Sequence, residues 1–141
     1  MILAAVILLA SCARVTDYVV EPVRVMWGSS TRALEKARGD ALKETCPYGY
    51  AQCFDDVLAI ARKQEWTVFI QDHKQRHIII LGIQGSVNTT EVGIFFSAVK
   101  ENSVTVEVTS LSSPTKKTVA DILFNGLTDL HLNTASKIDP Q

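Results

Sequence analysis

The spacing of apolar residues changes along this chain, and the changes limit the folds open to it. Phe54, Val57, Leu58 and Ala61 fall at i, i+3, i+4 and i+7, with Asp55, Asp56, Arg62 and Lys63 on the other side, the pattern of a surface helix. From Thr67 the period becomes two. TVFIQD and HIIILGI read as strands joined by the polar turn His73-Lys74-Gln75-Arg76, and EVGIFFSAV and VTVEVTS as a second pair joined by Lys100-Glu101-Asn102-Ser103. Ser113-Pro114 then opens a helix in cap-then-proline order, with Val119, Ile122, Leu123 and Leu127 as its stripe and Gly126 near its end. Upstream, Ser30 or Thr31 caps a helix expected to reach about Thr45 on the weak stripe Leu34, Ala37, Ala41 and Leu42, with Gly39 inside it. Strands grouped together, with helices before and after, argue an α+β fold with a four-stranded antiparallel sheet of two hairpins.

The strand faces add detail. Val104, Val106 and Val108 alternate with Thr105, Glu107 and Thr109, as an edge or half-solvated strand should. Ile78 to Leu81 are apolar on both faces, and so is the strand from Val92 to Val99, where Ile94 and Phe96 alternate with Phe95. Something must therefore cover both sides of the sheet centre. Two helices account for one side. The other falls to the segment bearing Trp27, to the weak first helix or to the C-terminal tail. If none of these covers it, Trp27, Phe95 and Val99 form an exposed apolar surface, and such surfaces mark partner sites.

The first residues carry a different signal. An unbroken apolar run from Ile2 to Ala10 is too short to span a bilayer but has the length of a signal-peptide core. It ends in Leu9-Ala10-Ser11-Cys12, which resembles the lipobox of bacterial lipoproteins. That resemblance implies cleavage before Cys12 and lipidation of its thiol, with two or three acyl chains that hold the protein on a membrane. It also implies a place in the bacterial cell envelope, and Ala13 after the cysteine favours the outer membrane, facing the periplasm. No Lys or Arg precedes the run; its other readings are a short uncleaved anchor or a buried N-terminal strand. The expected division is a signal peptide over 1–11, a lipidated tether over 12–29, one α+β domain over 30–132 and a frayed tail over 133–141. Val19 to Trp27 reads as an extended tether or edge strand because Pro22 interrupts it. Beyond the lipobox, the order of elements loosely resembles small bacterial lipoproteins of no assigned function.

Two cysteines remain. Cys46 and Cys53 are separated by Pro47-Tyr48-Gly49-Tyr50-Ala51-Gln52, a stretch that can turn back on itself, and an oxidising compartment would favour a disulfide between them. Two buried thiols are the alternative. Their spacing is not the C-x-x-C of zinc sites. His73 and His77 flank the first hairpin turn beside Asp72, so a metal, a ligand or a hydrolytic reaction is conceivable there or on the sheet face; a solvated polar turn explains the same residues. The 141 residues are 47% hydrophobic with a formal net charge of -1, and their basic residues are scattered, which argues against a nucleic-acid partner. There is no phosphate loop, nucleophile elbow or H-E-x-x-H. The expectation is a non-enzymatic binding or structural module, without cofactor or metal, whose partners are the membrane and an envelope protein.

Overall fold

The structure, a computed structural model, describes residues 31–137. The chain divides into two units, Met1–Ala33 and Leu34–Gln141, and the architecture below is that of the second. Its sheet has strands β1 (Leu42–Cys46), β2 (Thr67–Asp72), β3 (His77–Leu81), β4 (Val92–Lys100) and β5 (Ser103–Ser110). Helix α1 (Tyr50–Lys63) lies between β1 and β2 in sequence, and α2 (Ser113–Lys137) follows β5. Every neighbouring pair is antiparallel, in the order β1-β5-β4-β3-β2. The α+β class and both hairpins match the sequence reading, but the sheet has five strands and not four.

The fifth strand is the correction. Where a helix was expected to continue to about Thr45, residues 31–36 are helical, Ala37–Asp40 tighten into a 3-10 turn, and Ala41 leaves it extended. Glycine inside a helix costs about 1 kcal/mol relative to alanine, and Ala37 and Ala41 bury little area in return. The open edge of β5 offers more. Leu42 pairs with Val108, Lys43 with Glu107 and Cys46 with Val104, so the segment gains a ladder of hydrogen bonds. Strand β5 thereby becomes interior, and its polar residues Glu107 and Thr109 are buried instead of half-solvated.

Both helices lie on one face of the sheet. Phe54, Val57 and Ala61 of α1 and Val119, Leu123 and Leu127 of α2 form one core with Ile78, Ile80, Ile94, Val104, Val106 and Val108. Burying each of these Val, Leu, Ile and Phe side chains is worth about 1.5 to 3 kcal/mol relative to leaving it in water. Helix α2 is capped one residue earlier than expected, with the Ser112 hydroxyl accepting from the Thr115 N–H at 3.4 Å. It also runs past Leu132 to Lys137. Gly126 does not end it. A Cβ there would lie 2.8 Å from Ile60 Cδ1 of α1, so the glycine lets the two helices approach.

The second face is closed by a smaller core of Leu34, Ile79 and Phe95, with Ile70 against it. Gly93 makes room for it. A Cβ at that position would lie 2.7 Å from the Phe95 ring and 3.3 Å from Leu34 Cβ, which explains a glycine in the middle of a strand. No helix among the described residues is long and apolar enough to cross a membrane.

Candidate functional site

Cys12 and Trp27 lie outside the described residues. The cysteine pair lies within them and forms the most chemically distinctive site. Strand β1 ends at Cys46, Pro47 and Gly49 turn the chain, and α1 begins at Tyr50. The Cys53 N–H donates to the Gly49 carbonyl at 3.1 Å, which places Cys53 in the first turn of the helix, facing back toward the strand end. Its thiol donates to Cys46 Sγ at 3.1 Å. Both are free thiols in contact, since a disulfide would bring the sulfurs to about 2.05 Å.

The two sulfurs are not equivalent. Both are buried, Cys46 at 3% exposure and Cys53 at 0%, but Cys46 lines a cavity of about 250 Å³ together with Glu44, Pro47, Tyr48, Leu127 and His131, and Cys53 does not line it. Tyr48 stacks on His131 with ring centroids 5.5 Å apart, and its hydroxyl is buried without a hydrogen-bond partner. The hydrogen bond from Cys53 lowers the pKa of Cys46 below the ordinary thiol value, against the opposing effect of burial, and Tyr48 acts in the same direction as Cys53. Cys53 is pushed upward, by that same bond first and by burial next. The thiolate is therefore favoured on Cys46, and the shared proton stays on Cys53.

On the other face, the register sets one residue from each strand in a row: Asp72, His77, Phe95, Glu107 and Lys43. Arg38 bridges over this row, its guanidinium 4.8 Å from the Phe95 centroid and Nη2 2.7 Å from Glu107 Oε2. Lys43 Nζ lies 3.6 Å from the other carboxylate oxygen. Phe95 is thus 2% exposed: Leu34 and Arg38 cover the ring, so the chain itself covers this face at Phe95 and the partner surface that would form without such cover does not form there. Val99 is half-buried against the helix-side core.

The two histidines part company. His73 is exposed and stacks on Phe54, at 3.8 Å between centroids, while His77 is buried beside Phe95 with Nδ1 unpartnered. Phe54 and Phe95 belong to cores on opposite faces, so the turn does not bring the imidazoles together. Asp72 Oδ1 instead accepts from the Gln75 N–H at 2.9 Å and closes the turn. No group of three metal-ligating side chains occurs among the described residues. Arg38 went unnoticed in the sequence and Glu107 was read as a residue of a half-solvated strand face; the interrupted helix around Gly39 was the available hint that Arg38 is held near the sheet. No protein-family model matches the chain, and no curated protein matches it.

Proposed function

We propose that this protein is a bacterial lipoprotein, held in the cell envelope by acyl chains on Cys12, whose α+β domain is a non-enzymatic module that binds or braces another envelope protein. The observation that carries the reading is Leu9-Ala10-Ser11-Cys12 at the end of the apolar run Ile2 to Ala10. Its thiol sits where a lipobox cysteine is acylated, and two or three chains suffice for stable attachment. By the residue that follows, Ala13, the anchor belongs in the outer membrane and the domain in the periplasm.

A binding or bracing role draws support from how the domain uses its polar groups. Arg38 and Lys43 are committed to Glu107, and Lys116 to Asp40 at 2.8 Å. The sheet centre is covered on both faces, Leu42 and Phe69 on the edge strands are 37% exposed, and the loops carry apolar side chains more exposed still. Val87 and Leu111 are 71% and 78% exposed, in the β3–β4 and β5–α2 loops, which are tied together where the Ser110 hydroxyl donates to the Glu91 carbonyl at 2.9 Å. A partner would meet these side chains first.

The test is the intact mass of protein extracted from membranes. A chain starting at Cys12 with added acyl mass is expected. A membrane-extracted chain that retains Met1 and carries no acyl group would overturn the lipoprotein reading and the location drawn from it.

A further inference from the structure

We propose that Cys46 and Cys53 are a reversible thiol–disulfide exchange pair in which Cys46 meets the external thiol or disulfide and Cys53 closes the intramolecular bond. The proposal takes from the envelope reading only the oxidising surroundings; the exchange chemistry is independent of the anchor. Three observations carry it. The sulfurs already touch, at 3.1 Å, so bond formation needs little movement of β1 against α1. Of the two, Cys46 and not Cys53 lines the cavity beside Tyr48 and His131, so a small reagent entering it meets Cys46 first although that residue is only 3% exposed. Beside it the buried Tyr48 hydroxyl makes no hydrogen bond of ordinary geometry, yet it lies near enough to favour the Cys46 thiolate, a donor that can turn to it.

The Cys46 thiolate attacks one sulfur of a disulfide R–S–S–R, forms Cys46–S–S–R and releases R–S⁻, which takes up a proton. Cys53 then loses its proton, attacks Cys46 Sγ and displaces the second R–S⁻. Two protein thiols are oxidised by two electrons, and one external disulfide is reduced to two thiols. Burial of Cys53 keeps it from reacting with the external disulfide first. The cavity admits a group of about the size of a cysteinyl residue, and Glu44 in its wall disfavours an anionic one. The co-reactant is therefore a neutral or cationic disulfide, either a small molecule or the exposed cysteine of a redox protein.

The experiment uses purified full-length chain, with peptide mass mapping to keep Cys12 separate from the pair. In Cys53→Ala, cystamine should trap a mixed disulfide on Cys46. In Cys46→Ala, Cys53 should react at least about tenfold more slowly, as expected for a shielded thiol of raised pKa. Equal rates at the two positions would overturn the proposal. The wild-type chain supplies a check that does not depend on variants folding. Once oxidised, its disulfide should be reduced by cysteamine at a rate that rises in proportion to thiol concentration. A rate that levels off at the rate of global unfolding would mean that the bond is reachable only in the unfolded chain, and exchange in the folded state would be excluded. Neither readout depends on lipid, so an unacylated Cys12 would defeat the envelope reading and leave this result standing.

Discussion

Glu107 shows how a single charge is accommodated inside this sheet. A carboxylate withdrawn from water is costly unless donors replace the lost hydration. Burial is the largest single influence on Glu107 and opposes its ionisation, but hydrogen bonds from Arg38 and Ser97 and the charges of Arg38 and Lys43 together outweigh it. Its pKa consequently falls below the ordinary 4.5. A carboxyl whose pKa is lower in the folded chain contributes stability that is present above the unfolded value and lost as pH falls through the folded one. Urea midpoints measured on a pH series should therefore decline below about pH 4.5 in the native chain. The part of that decline due to this residue should vanish in Glu107→Gln, and parallel profiles for the two proteins would show that the carboxylate has no such role. Arg38→Met keeps much of the side-chain length but removes both the ion pair and the stacking on Phe95. It should cost about 1 to 3 kcal/mol at neutral pH, the usual penalty for orphaning a buried polar group.

Among the elements, the contact between the two helices is the most sharply constrained. Gly126→Ala improves helix propensity by about 1 kcal/mol, yet inserting a methyl group into a packed contact costs about 1 to 3 kcal/mol. Since the new Cβ would sit 2.8 Å from Ile60 Cδ1, the substitution should be net destabilising by about 1 kcal/mol. Ile60→Val removes the clashing atom. A double-mutant cycle in urea should show the pair of changes costing less than the sum of the single ones, whereas strict additivity would mean that the helices do not meet there. This contact also shows where sequence reading stops. Periodicity located α1, both hairpins and the stripe of α2, because in those segments one face meets a core and the pattern repeats over several residues. A lone glycine has no period, so Gly126 passed for a helix end when its role is set by Ile60 on another element. Strand β1 was missed for a related reason: Leu42 to Cys46 is too short to show alternation, and its pairing is decided by the free edge of β5. Glu107 looked solvated because the residues that bury it, Arg38 and Lys43, are distant in sequence. The contact of Cys46 with Cys53 was within reach, since the pair is local and the Pro47 and Gly49 turn suggested it; the asymmetry between the two sulfurs was not, because it depends on a cavity wall supplied by Leu127 and His131 of α2.

At the scale of the whole molecule, attachment and folding should be separable. Among the described residues, the sheet, both helices and both cores are built from Leu34 onward, while the proposed anchor is Cys12. A change at Cys12 should therefore alter where the protein resides without altering how stable the domain is. With Cys12→Ala the lipobox loses the thiol that accepts the lipid, and the protein should move from the membrane to the soluble fraction of the envelope, or accumulate with its signal segment uncleaved. If the anchor only tethers the domain, the urea midpoint after purification should match that of the native chain within about 0.5 kcal/mol. Fractionation and denaturation together separate the possibilities. Loss from the membrane with unchanged stability supports an anchor joined to an independent domain. Retention on the membrane in mature form, with no acyl mass, would mean that the apolar run or the domain surface holds the protein there, and the lipid-anchored reading would fail.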